Sequence, residues 1–187
     1  MISAATPINE DERLRVLDKY KILDTLPEED YDAIAKIASG ICNSPIALIS
    51  LIDDSRQWFK SNHGLDARET PKEIAFCAHS ILNPDELFII NDATKDERFF
   101  DNPLTTGEPN VIFYAGAPLN TSEGFSLGTL CVIDNKPREL SQTQQDSLKL
   151  LAKQVVSLLE LRKKNNELND VNIKAVKLNE QLNNFAY

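Results

Sequence analysis

The sequence predicts an α+β fold: an antiparallel central sheet flanked by helices, followed by a long C-terminal coiled-coil helix. Three observations carry this. Apolar strand-like runs come in pairs joined by turn residues, which makes them antiparallel neighbours. Helical stripes stand before and between these pairs, whereas a doubly wound parallel sheet would need a helix after every strand. The final stretch, residues 161–187, keeps a three-four apolar spacing through Phe185.

Leu14, Leu17 and Lys21 recur at helical spacing, with Val16 and Tyr20 on a flank, and predict a first helix. Pro27 fits a first helical turn, with Glu28, Glu29 and Asp30 behind it. The stripe Tyr31, Ile34, Ala35, Ala38, Ile41 and Cys42 predicts a one-sided second helix that ends before Pro45. Ile46–Ile52 reads as a buried strand, Asp53-Asp54-Ser55 as a turn, and Gln57–Lys60 as the hairpin partner. A helix is expected over Glu73–Leu82, stopped by Asn83-Pro84-Asp85, and a short strand over Leu87–Ile90. Residues 92–109 are loop-rich, with a turn of helix expected around Glu97–Asp101. Val111–Leu119 and Ser126–Ile133 bracket the turn Thr121-Ser122-Glu123-Gly124. Ser141 is the expected N-cap of the last helix, which runs on from Leu148.

Composition narrows the function classes. Of 187 residues, 42% are hydrophobic and 26% charged, which fits a globular chain and not a disordered one. No run approaches the ~18 apolar residues of a membrane helix, and Met1–Arg15 shows no secretion leader. A net charge of -9 argues against nucleic acid or an anionic membrane as partner. Three widely spaced cysteines, Cys42, Cys77 and Cys131, fit reduced thiols and hence a cytoplasmic setting. The charge is uneven: residues 161–187 hold five basic and three acidic side chains, seven Asn and no Gly or Pro. This places a boundary near Glu160, between an acidic domain (residues 1–160) and a polar helix (residues 161–187).

Several stretches together resemble a GAF sensory domain. They are Ile74-Ala-Phe-Cys-Ala-His-Ser80, Asn91-Asp-Ala93 with Asp96-Glu-Arg-Phe99 and Asp101-Asn-Pro-Leu104, Phe113-Tyr-Ala-Gly-Ala-Pro-Leu119, and Leu127-Gly-Thr-Leu-Cys-Val-Ile-Asp134. The likeness spans about residues 10 to 160 and implies a regulatory module. Such modules bind small molecules in some members, dimerise and relay signals in many, and catalyse in few. The tail residues Leu161, Lys164, Leu168, Val171, Ala175, Leu178, Leu182 and Phe185 form a coiled-coil seam in which all but Lys164 are apolar. The run from Leu178 to Tyr187, ending Phe-Ala-Tyr, is similar to the lead-in to the phosphotransfer helix of a sensor histidine kinase. The resemblance implies that the phospho-accepting His lies beyond Tyr187, in a larger kinase of which this chain is the sensor.

The reactive residues offer little chemistry on their own. Cys77 and His79 are two apart on a predicted helix, about 200° around it, so they form no local dyad. GAF-folded methionine sulfoxide reductases cluster cysteines at one pocket, and the loop Thr105–Asn110 has none. No Cys-x-x-Cys or comparable spacing marks a zinc site, and Cys42 and Cys131 read as small buried hydrophobes. Bilin-binding relatives carry Cys followed directly by His, whereas Ala78 intervenes here. Cyclic-nucleotide binders carry an Asn-Lys…Phe…Asp-Glu signature. Asn91, Asp96, Glu97 and Phe99 stand in another order, and no Gly-rich phosphate loop occurs.

No catalytic residue, metal or cofactor is therefore expected. If a ligand is bound, the resemblance places it between the sheet and its covering helices, against Phe76, Cys77, His79, Asp92, Phe99, Phe113 and Tyr114. Aromatic walls with a few polar groups suit a small-molecule site, and plain core packing would use the same residues. The expected assembly is a parallel homodimer through Leu161, Leu168, Val171, Ala175, Leu178, Leu182 and Phe185, feeding a kinase domain in the same polypeptide. The rival readings are a ligand-free dimerisation spacer and a sensor for another output, such as a cyclic-dinucleotide synthase.

Overall fold

The computed structural model describes residues 1–185, with side chains through Asn184 in the last helix. Two helices lead, α1 (Glu10–Lys19) and α2 (Glu29–Cys42). The hairpin β1 (Ile46–Ile52) and β2 (Arg56–His63) follows, then a short edge strand β3 (Glu69–Pro71). Next come α3 (Phe76–Ser80), β4 (Phe88–Ile90) and α4 (Pro103–Thr106), then the hairpin β5 (Phe113–Asn120) and β6 (Ser126–Asp134). Helix α5 (Gln142–Phe185) closes the chain. The six strands form one antiparallel sheet in the order β3-β2-β1-β6-β5-β4.

The sheet separates two apolar layers, and side-chain alternation assigns each residue to one of them. Ala47, Ile49 and Leu51 of β1 and Phe113, Ala115 and Ala117 of β5 face α1, α2 and α5. Ile46 and Leu48 of β1, Tyr114 of β5, and Cys131 and Ile133 of β6 face α3 and the loops around it. Gly128 lets β6 and β1 approach, since a Cβ there would lie 1.8 Å from the Ser50 carbonyl oxygen.

The predicted stripe of α2 holds in part. Tyr31, Ala35, Ala38 and Cys42 are buried, Ile34 is half-buried, and Ile41 is exposed. Asn43 ends the helix in the left-handed conformation (φ 51°), a C-terminal stop that Asn tolerates. Pro27 lies before the N-cap Glu28 and not within the first turn. Lys21 lies beyond the end of α1 at φ 49°, so the first helix is shorter than its spacing implied. Ser141 caps α5 as predicted, but the helix starts at once with Gln142. The Ser141 hydroxyl accepts from the Gln144 N–H at 3.3 Å, and Gln144 Oε1 accepts from the Ser141 N–H at 3.0 Å, a reciprocal capping box.

Two expectations for the middle of the chain are corrected. The helix over Glu73–Leu82 is a 3-10 turn (Lys72–Ile74) and the five-residue α3, separated by Ala75 in extended geometry (ψ 125°). Asn102 holds that break, donating from Nδ2 to the Ile74 carbonyl at 3.0 Å. Glu97–Asp101 forms turns, while the helical pieces fall on either side, at Ala93–Lys95 and at α4.

Helix α5 passes Glu160 without a break, and Leu159 is its last buried residue among those described. Beyond it Leu161, Leu168, Val171, Ala175, Leu178 and Leu182 are exposed. The side chain of Phe185, together with Ala186 and Tyr187, lies outside the described residues. Among the described residues no helix is long and apolar enough to cross a membrane.

Candidate functional site

The α3 layer has a closed aromatic end and an open end. At the closed end Phe76 stacks on Phe99 with ring centroids 3.9 Å apart, and Phe76 meets Tyr114 at 5.4 Å. His79 stands edge-on to Phe99 at 4.9 Å and parallel to Phe88 at 6.1 Å. The Arg98 guanidinium lies over Phe88 and Phe99, held there by Asp96. Burial lowers the His79 pKa, the bond to the Ile2 carbonyl opposes that, and Arg98 adds to the lowering.

Five of the seven predicted ligand residues, Phe76, Cys77, His79, Phe99 and Tyr114, meet in this layer. Phe113 does not: one residue from Tyr114 on the same strand, it faces α1, α2 and α5 instead. The Asp92 carboxylate is engaged by its own turn, accepting from the Thr94 N–H at 3.1 Å and pairing with Lys95 at 3.1 Å. Tyr114 fits over Gly116, where a Cβ would lie 2.3 Å from the phenol oxygen.

Beneath this cluster lies a polar nest that sequence reasoning missed. Cys77 Sγ accepts from the Tyr114 hydroxyl at 3.0 Å and the Thr129 hydroxyl at 2.9 Å, and lies 3.5 Å from Ser50 Oγ. Cys131 Sγ is 4.0 Å away. Cys131 is buried as expected, yet it is not a plain core residue, because it partners a second thiol from a distant element. Burial raises the Cys77 pKa, but its hydrogen bonding with Cys131, Ser50, Thr129 and Tyr114 outweighs that and holds the thiol below its ordinary range. Cys131 is pushed up by burial and by Cys77 itself. No imidazole or carboxylate contacts Cys77 among the described residues, so the nest lacks a general base.

The open end is a cleft of about 530 Å³ walled by Ile46, Leu48, Phe59, Leu65, Val111 and Ile133. Gln57 of β2 also lines it. Gly64 pins the turn that forms one lip: it sits at φ 77°, and a Cβ there would be 2.2 Å from the Pro45 carbonyl oxygen.

On the opposite side of the sheet, the start of the free part of α5 is clamped. The β1–β2 ladder has a bulge: Ile49 pairs with Ser61 and Ser50 with Phe59, so Lys60 is the extra residue. Its buried ammonium donates to Thr25 Oγ1 at 2.9 Å, to the Leu26 carbonyl at 2.7 Å and to Glu28. Arg162 of α5 reaches the same carboxylate at 3.2 Å and donates to the Lys21 carbonyl at 2.9 Å. Two residues earlier on α5, Glu160 accepts from the Tyr20 hydroxyl. Burial and the Glu160 charge together push that phenol well above its ordinary range.

Comparison with known proteins agrees with this architecture. A cyclic di-GMP phosphodiesterase of Pseudomonas aeruginosa is 47% identical over 137 residues, covering 72% of this chain. The chain spans only 23% of that protein's length. Among solved structures, a domain assigned to a two-component sensor histidine kinase of Sinorhizobium meliloti matches with TM-score 0.58 at 17% identity, covering 75% of this chain and 96% of the other. The GAF domain of an Acinetobacter phosphoenolpyruvate-protein phosphotransferase matches with TM-score 0.60 at 15% identity, covering 87% and 99%. The family model for the GAF domain matches residues 27–159, and with the six-stranded sheet and its two helical layers this makes the chain a member of the GAF domain family.

Proposed function

We propose that this chain is the sensory module of a larger cytoplasmic signalling protein, acting as a parallel homodimer that drives a histidine kinase in the same polypeptide. One observation carries the reading. Helix α5 starts in a capping box against the sheet, is clamped to the α1–α2 loop at Glu160 and Arg162, and continues unbroken with an exposed apolar seam. A change in the domain then alters the orientation of two paired helices, and the output follows that orientation. The α3 layer is the sensing face in this reading, with its aromatic cluster of Phe76, His79, Phe99 and Tyr114 beside the cleft. The kinase assignment is supported by the resemblance of Leu178–Tyr187 to a phosphotransfer lead-in and by the fold shared with the Sinorhizobium domain.

A second output is favoured by a specific observation. The Pseudomonas relative, at 47% identity, is a cyclic di-GMP phosphodiesterase, so a sensor of this type also stands in a protein that degrades a cyclic dinucleotide. The full-length protein decides between the two. Transfer of labelled phosphate from ATP to a His of the protein supports the kinase, and cyclic di-GMP hydrolysis without autophosphorylation supports the second output. The dimer is tested by sedimentation equilibrium: the chain should associate, and Leu168→Glu with Leu178→Glu should leave a monomer. A wild-type monomer at micromolar concentration overturns the relay.

A further inference from the structure

The nest beneath the aromatic cluster brings two thiols together from distant parts of the chain. Cys77 of α3 and Cys131 of β6 are 54 residues apart in sequence, yet their sulfurs lie 4.0 Å apart. A disulfide holds its sulfurs about 2 Å apart, so a side-chain rotation and a small inward shift of α3 join them. The surroundings of the two thiols are unequal. The Tyr114 and Thr129 hydroxyls both donate to Cys77 Sγ, and the Ser50 hydroxyl lies 3.5 Å from it. Hydrogen bonds aimed at a sulfur favour its thiolate. They hold the Cys77 pKa low against burial, while burial and Cys77 itself hold Cys131 high. One thiol is thus poised as the nucleophile, and the other keeps its proton until a partner sulfur is oxidised. Cys42 is the contrast. It is buried in the opposite layer, on α2, and burial pushes its thiol up to about 11.

We propose that Cys77 and Cys131 are a thiol redox site, which a peroxide converts to a reversible disulfide between α3 and β6. The Cys77 thiolate attacks one peroxide oxygen. An S–O bond forms, the O–O bond breaks, and the departing hydroxide takes up the proton that Cys77 gave to water. Cys131 Sγ then attacks the sulfenic sulfur: the S–S bond forms, the S–O bond breaks, and the hydroxyl leaves with the Cys131 proton as water. Two electrons pass from the thiol pair to the peroxide, which ends as two waters, and a dithiol reductant reverses the change. Cys77 is 1% exposed and Cys131 fully buried, so local opening of α3 sets the rate. That helix is five residues long, follows Ala75 in extended geometry and has no side-chain cap. A short, uncapped segment opens at lower cost than the sheet beneath it. Peroxide is little larger than water and enters at such an opening, whereas a bulky oxidant needs more of the layer to unfold. The new bond takes the shared acceptor from the Tyr114 and Thr129 hydroxyls, and so shifts Tyr114 against Phe76 and Phe88. The chemistry goes beyond the sensory reading above and does not depend on it.

The test treats the reduced whole chain with hydrogen peroxide from micromolar to millimolar, unfolds it in an alkylating agent and maps the thiols by mass spectrometry. The expected product has lost two hydrogens and is alkylated at Cys42 alone. Cys77 and Cys131 should appear in one linked peptide pair that dithiothreitol separates. Cys131→Ser should stop at a Cys77 sulfenic acid, trapped by unfolding the protein in dimedone. Cys77→Ser keeps an acceptor for Tyr114 and Thr129, so it should fold and give no linked pair, and Cys42→Ser should behave as the wild type. Urea below the unfolding transition should speed the linkage severalfold without changing the product, because it favours the opening of α3. Alkylation of all three thiols after millimolar peroxide overturns the proposal. Linkage through Cys42, or linkage seen only in the unfolded chain, overturns it as well. The sensory reading fails separately: a linked pair that leaves the output of the full-length protein unchanged upholds the redox site and removes it from signalling.

Discussion

Lys60 and Arg162 converge on one atom, Oε2 of Glu28. The first is 1% exposed in a bulge of β2 and the second sits where α5 leaves the domain, so the sheet and the exit helix are joined through a single carboxylate. Glu28→Gln should therefore destabilise more than Arg162→Met. The first leaves a buried ammonium without its counter-charge, a loss of about 1–3 kcal/mol. The second removes a solvent-screened contact of below about 1 kcal/mol. Urea unfolding with unchanged m-values measures both, and equal effects would place the strength of the clamp elsewhere.

Gly128 should tolerate no side chain. An added Cβ meets the Ser50 carbonyl oxygen and, at 2.8 Å, the Leu51 Cα, and backbone cannot swing aside as a flexible side chain can. Gly128→Ala is expected to cost about 3 kcal/mol or more and to appear as lost soluble protein or a collapsed melting temperature.

Cys77→Ala should cost about 1–3 kcal/mol, because the Tyr114 and Thr129 hydroxyls lose their shared acceptor. Cys77→Ser restores an acceptor and should recover most of the loss. Thiolate absorbance should also show Cys77 ionising at lower pH than Cys42, whose thiol burial pushes up to about 11. No methionine sulfoxide reduction is expected from the wild-type chain, since the Cys77 and Cys131 thiols are both buried beneath the aromatic cluster, out of that substrate's reach.

Acid should weaken the fold in two steps. His79 has a folded pKa below its unfolded value of about 6.5, because burial against Phe88 and Phe99 disfavours the imidazolium and Arg98 repels it, with Asp96 opposing. The unfolded chain then binds more protons, so stability falls as pH drops below that value. Glu10 is depressed for a different reason: burial raises it, but Arg13 and Lys72 outweigh that. Its contribution is full above the unfolded value of about 4.3 and is lost as pH falls further. Melting temperature should decline from pH 7 to 5, and His79→Phe should flatten that first decline while leaving the second.

The elements that could be read in advance are those fixed by local chemistry. Ile46–Ile52 is bracketed by Pro45 and an Asp-Asp turn, and the strand falls on those residues. Ser141 and Gln144 spell out a cap within four residues. Where a distant residue decides, local reading fails. Lys72–Ser80 contains no Gly or Pro to interrupt a helix, yet Asn102 draws the Ile74 carbonyl away and splits the segment. Placing Phe113 beside Tyr114 on one pocket wall, as the resemblance does, ignores the strand alternation that sends them to opposite layers. The thiol nest joins α3, β1, β5 and β6, and the cleft joins β1, β2, β3, β6, α4 and two loops, so neither leaves a mark in any single stretch of sequence.

The unbroken run of α5 from Gln142 to Phe185 contains no Gly or Pro at which it could flex. Whatever follows it is therefore set by rotation and not by reach. Each residue turns the helix by about 100°, so lengthening the stretch after Leu161 by seven residues returns nearly the same azimuth, whereas two or five swing the attached domain to the far side. A signalling protein built on this module should keep its response through insertions of seven and invert or lose it at two or five, behaving as a mechanical phase-keeper whatever catalytic domain it carries.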